Sequence, residues 1–136
     1  GVRAARRIRL ETRAKVILLT SYDDPATVIQ ASVESFASAY VLKSQFPLMV
    51  PTIRETAQGV TPQSHLICYA LLRRLTAEEL AVFQQMLGAP VTLHSSEKTI
   101  ANQKTSVLRK LGLQNKQQLC HVFAAYFPHQ DLSIRV

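Results

Sequence analysis

Lys98, Asn102, Gln103, Lys104, Thr105, Arg109 and Lys110 fall within thirteen consecutive positions. Their types suit one chemistry in particular. Ammonium and guanidinium groups bind phosphate oxygens without reading sequence, while amides and hydroxyls pair with the edges of bases. To do so they must stand on the outer side of a rigid rod that fits a DNA major groove. The run from Ser96 to Gly112 has the spacing of such a rod. Ile100, Val107, Leu108 and Leu111 recur at i, i+7, i+8 and i+11, which gathers them on one side of an α-helix as a core-facing stripe. Ser96 is placed to accept from the first free N–H groups, and Gly112 stands where a helix turns into the left-handed region. From Ser96 to Lys116 there are five basic side chains and one acid, Glu97.

Other chemistries find little in the sequence. The four histidines are scattered, no Ser/His/Asp or Cys/His grouping shares an element, and the four glycines form no phosphate-cradling loop. No enzyme, cofactor, metal site or small-molecule substrate is expected. Cys68 and Cys120 lie far apart in apolar helical contexts without metal-ligand spacing and read as reduced thiols of a cytoplasmic protein. No window approaches the ~18 uninterrupted apolar residues of a membrane span. The opening arginines, Arg3, Arg6, Arg7 and Arg9, are not followed by the apolar core of a signal peptide. The net charge of +7 fits an acidic partner such as nucleic acid. Its distribution does not follow the basic helix. Residues 1–16 carry six basic groups and one acid, residues 17–74 balance, and residues 75–136 carry +2.

Upstream of the basic helix the chain alternates helix and strand. Arginines interleave with Val2, Ala4, Ala5, Ile8 and Leu10 in a helical pattern, and Lys15 to Thr20 is a buried-strand run. Asp24 and Pro25 open a helix to about Ser35, as cap and first helical residue. Ala39 to Lys43 is a second short strand, so a parallel pair with a helical crossover is expected. A helix over Phe46 to Gln58 contains Pro51, which predicts a kink or a late start. A helical connector follows from Pro62 to about Arg74. Thr76 and Glu79 form a capping box, with Leu80, Val82, Phe83, Met86 and Leu87 as the apolar side of that helix. Pro90, Val91 and Thr92 disfavour helix before Ser96. Asn115 caps a last helix, Lys116 to about Phe127, with Leu119, Val122, Phe123 and Tyr126 on one face.

The run SEKTIANQKTSVLRKLGLQNKQQL resembles the recognition helix and following helix of LuxR-type (NarL-type) transcription factors, and Leu75-Thr76-Ala77-Glu78-Glu79 resembles the opening of that domain. The stretches GVRAARRIR, KVILLTSYDD and AYVLK resemble the second half of a response-regulator receiver domain. The resemblance implies an α/β partial receiver (two parallel strands with helices) at 1–59, a connector at 60–74, an all-α LuxR-type helix-turn-helix domain at 75–127 and a tail at 128–136. It implies that Ala101, Asn102 and Thr105 face bases and that Lys98, Lys104, Arg109 and Lys110 serve phosphates, with Thr99 and Gln103 on the same surface. Double-stranded DNA is the implied partner. Leu119, Val122, Phe123 and Tyr126 match the family's dimer contact, for a homodimer or for pairing with a full-length regulator. Thr20, Tyr40 and Lys43 match the receiver's switch positions, with Ser21 an alternative to Thr20; the phosphoacceptor half has no counterpart here, so phosphotransfer is not expected of this chain.

Three departures from the pattern carry expectations of their own. Phe36 occupies a helix end where the family has glycine. The scaffold helix before the recognition helix is replaced by Gly88 to Ser95, about six residues short of the helix-turn-helix pattern. The strand at residues 16–19 lacks the neighbour it has in a receiver, which would expose an aliphatic edge. An interaction protein or a degenerate remnant that no longer reads DNA is the competing expectation.

Overall fold

A computed structural model describes residues 1–127; the tail expected at 128–136 lies outside the described residues. The protein is mostly helical with one two-stranded parallel sheet. It divides into two compact units, Gly1–Leu71 and a second beginning at Leu72. The expected connector therefore belongs with the first unit as far as Leu71.

The first unit runs α1 (Val2–Glu11), β1 (Ile17–Thr20), α2 (Pro25–Ser35), β2 (Ala39–Leu42), a 3-10 turn (Lys43–Leu48), α3 (Met49–Gln58) and α4 (Pro62–Leu72). β1 and β2 are parallel, with Ile17 opposite Ala39 and Thr20 opposite Leu42. Asp24 caps α2 by accepting from the Thr27 N–H and hydroxyl, and Pro25 starts the helix. Val28, Val33, Phe36, Ala37, Ala39 and Val41 are buried around the sheet. The aliphatic strand β1 is only half covered, and Leu19 is 42% exposed.

The end of α2 bears out the Phe36 expectation and shows its compensation. The helix closes in a Schellman motif, with the Ala37 N–H bonded to the Ser32 C=O and the Phe36 N–H to the Val33 C=O. Phe36 takes the left-handed position at φ 54°, the one non-glycine residue with positive φ among those described. Its ring is buried, and the Arg6 guanidinium lies 4.7 Å from the ring centre while Nη1 donates to the Glu34 C=O. Burial, a cation–π contact and a charge at the helix C-terminus together offset the backbone strain.

Pro51 causes no break. The 3-10 turn absorbs the change of direction, Gln45 is non-helical, and α3 starts late at Met49. Pro51 thereby falls in the first turn, where its missing N–H has no intrahelical acceptor to lose. The polarity of α3 is inverted. Val50 and Ile53 are about half exposed, as is Phe46 before them, whereas Thr56 is buried. Gln63 on α4 holds both backbone groups of Tyr40: its Oε1 accepts from the N–H and its Nε2 donates to the C=O.

The second unit contains α5 (Ala77–Met86), α6 (Glu97–Leu111), α7 (Lys116–Phe123) and a 3-10 turn (Ala124–Tyr126). The last helix is thus shorter than expected. Its core joins Val82, Phe83 and Met86 of α5 to Val107 and Leu111 of α6 and to Leu119, Val122 and Phe123 of α7. Phe83 is the hub, edge-on to Phe123 at 5.0 Å and to Phe127 at 5.9 Å. Between α5 and α6 the chain from Ala89 to Ser96 is not helical. Gly88 ends α5 at φ 95°, and Gln85 holds the Val91 carbonyl from the preceding helix.

Candidate nucleic-acid interface

α6 begins at its expected cap. Ser96 Oγ accepts from the Thr99 N–H, and Gly112 closes the helix in the left-handed region at φ 73°. Glu97 sits in the first turn and Arg109 and Lys110 in the last, the arrangement that the helix dipole favours. Val107 and Leu111 are buried, and Ile100 and Leu108 half-buried, so the apolar stripe does face the core.

On the opposite side Lys98, Asn102, Thr105 and Arg109 follow one another at i, i+4, i+7 and i+11, and all four are exposed. This stripe presents a cation at each end with an amide and a hydroxyl between. The Thr105 hydroxyl donates to the Ala101 C=O, which leaves its oxygen as an acceptor. Ala101 is exposed beside the stripe. Thr99 and Lys104 are exposed as well, but Lys104 stands one turn before Leu108, on the flank of the apolar side. Gln103 is half-buried. Of the nine residues assigned to this surface, Gln103 and Lys110 are the two that the fold draws inward.

Lys110 requires a correction. Its Nζ donates to Glu79 Oε1 at 2.6 Å, and Glu79 is buried at 6% exposure. It therefore holds α6 to α5 rather than standing free for a phosphate. Glu79 is used on both oxygens. Oε1 also accepts from the Thr76 N–H, completing the capping box, and Oε2 accepts from the Ser106 hydroxyl. Bonds from Lys110, then from Ser106 and the Thr76 backbone, hold the Glu79 carboxyl down at about 2. A buried carboxylate with three charge-assisted partners joins the first turn of α5 to the last two turns of α6. In the sequence Glu79 reads only as a cap. The available further signal is the i, i+4 pair Ser106 and Lys110 on the inward flank of α6.

The residues expected at a dimer contact on α7 lie mostly in the interior. Leu119, Val122 and Phe123 are 0%, 4% and 1% exposed, and Tyr126 is half-buried. Leu119, Val122 and Phe123 are the domain's own core and have no surface to offer a second copy, whereas Tyr126 keeps part of its surface. In the first unit, the register brings Thr20 level with Leu42, so Thr20 and Lys43 share the C-terminal end of the strand pair. Thr20 Oγ1 accepts from the Tyr22 N–H there, Lys43 is exposed, and Tyr40 lies two residues deeper, opposite Leu18.

Among the described residues no group of three or more His, Cys, Asp or Glu could hold a metal ion, and no helix is long and apolar enough to cross a membrane. Comparison with known protein families, with curated proteins and with solved structures gives no match.

Proposed function

We propose that the protein is a non-catalytic, DNA-binding transcriptional regulator of the LuxR type, with α6 as its reading helix. One observation carries this reading. The exposed stripe Lys98–Asn102–Thr105–Arg109 places two cations, an amide and a hydroxyl on the outward side of a capped helix that buries its other side. A helix so equipped meets the two demands of sequence-specific binding, since its ends neutralise phosphates and its middle pairs with base edges. The Glu79 hub supports it from behind by fixing the rotation of α6 on α5. Thr20, Tyr40 and Lys43 are read as remnants of a receiver switch.

A second reading rests on the irregular chain from Ala89 to Ser96. A helix-turn-helix uses its first helix to cross the DNA backbone and seat the second. Without that helix the same protein would act through protein contacts and not read DNA.

Binding to duplexes selected from a random pool separates the two, with wild type compared with Asn102→Ala. A reading helix gives wild type a preference for the selected duplex over random duplex, and Asn102→Ala removes that preference. Equal, steeply salt-dependent binding to both duplexes, unchanged by Asn102→Ala, would rule out base reading.

A further inference from the structure

We propose that β1 is the pairing edge of a homodimer, in which two copies add their β1 strands antiparallel across a two-fold axis to give a four-stranded sheet. β1 pairs only with β2 among the described residues, which leaves its other edge with backbone groups unpaired. A two-stranded sheet is marginal alone, and an uncovered aliphatic edge is a template for another strand. The devices that usually blunt such an edge are missing from it. No proline, bulge or charge interrupts Ile17–Thr20, and Leu19 is 42% exposed.

The charges flanking the strand identify the occupant. Arg13 lies before β1, and Asp23 and Asp24 lie after it. Antiparallel pairing centred on Leu18 sets Ile17 against the second copy's Leu19, and Arg13 against its Asp23. It also carries the basic end of each strand to the acidic end of the other. Arg13 and Asp23 are both exposed and form no interaction among the described residues. Asp24 has one oxygen committed to Thr27. A parallel pairing would oppose arginine with arginine and aspartate with aspartate, which is unfavourable. The strand is therefore self-complementary in one orientation only, as a closed two-fold interface requires. This inference does not depend on DNA binding.

Sedimentation velocity of the full chain over a concentration series tests it, using Arg13→Asp, Asp23→Arg and an equal mixture of the two. Both sites are exposed and unpaired, and circular dichroism checks that each variant keeps the fold. Wild type is expected to dimerise. Each single variant turns two attractions into two repulsions and weakens the dimer about tenfold. The mixture restores it through the mixed dimer. There the acid introduced at position 13 of one copy meets the base introduced at position 23 of the other, and the unaltered Arg13 and Asp23 meet at the opposite end. A wild type that stays monomeric at the highest concentration reached overturns the proposal. So does a dimer indifferent to both reversals, which would place association elsewhere, for instance on Phe46, Val50 and Ile53. Single variants that weaken the dimer without recovery on mixing would overturn the antiparallel arrangement.

Discussion

Glu79 shows how one side chain changes role between sequence and structure. Its place in the capping box is legible from Thr76 three residues before it, and that part stands. Its second role needs residues 27 and 31 positions further on, which local spacing does not reveal. The consequence is pH-dependent stability. The carboxyl is held at about 2 in the fold against an ordinary 4.5. Its stabilisation is therefore complete above about 4.5 and is lost as pH falls from there through 2. Urea unfolding of wild type is expected to weaken across that window, and Glu79→Gln to flatten the dependence. At neutral pH Glu79→Ala should destabilise the second unit by about 1–3 kcal/mol through loss of the cap and of charged hydrogen bonds. Cys68 is the second residue with a clear expectation. Burial pushes its thiol up to about 12, so the reactive thiolate is suppressed at neutral pH. A native chain should leave Cys68 unlabelled by a thiol reagent at pH 8, with labelling appearing on unfolding; rapid native labelling would show the site to be open.

At the scale of elements, the parts with local signals were readable and the parts decided by distant partners were not. The caps at Asp24, Thr76, Ser96 and Asn115 all form, because each needs only the next three residues. The parallel pair forms from two aliphatic runs in the expected order, although β1 starts two residues later than its run. Which face each helix buries was less accessible. The apolar stripe of α7 matched a dimer contact by resemblance, and Leu119, Val122 and Phe123 of it lie in the core, since periodicity marks a buried face without naming what buries it. α3 is the stronger case, because Val50 and Ile53 point outward and Thr56 inward. Its composition predicts the reverse. Pro51 illustrates a dependence on where a helix starts. Two residues into α3 it does no harm, whereas in a helix from Phe46 it would cost about 3 kcal/mol. Pro51→Ala is accordingly expected to change stability by less than about 1 kcal/mol in thermal unfolding. A gain near 3 kcal/mol would mean that the proline strains the helix.

For the whole molecule, net charge is a poor measure of affinity for a polyanion because several cations are already engaged at helix ends. Arg6 donates to the C-terminal carbonyl of α2 at Glu34, Lys15 to the α3 carbonyl of Thr56, and Arg74 to the α6 carbonyl of Lys110. Each places positive charge where a helix dipole is negative. The +7 of the sequence thus includes groups outside α6 that stabilise the fold. Salt dependence of DNA binding separates the two kinds of cation. Every phosphate contact contributes about 0.9 to the slope of log affinity against log salt. Lys98→Ala with Arg109→Ala removes the two ends of the exposed stripe, and the slope should fall by about 2. Lys110→Ala removes a cation bonded to a buried carboxylate. It should leave the slope unchanged while lowering stability, because Glu79 loses a partner and stays buried. Equal slopes for wild type and the double variant would detach α6 from the DNA. A slope lowered by Lys110→Ala in a protein of undiminished stability would show that the ammonium leaves Glu79 for a phosphate, and the hub would then be part of the binding surface.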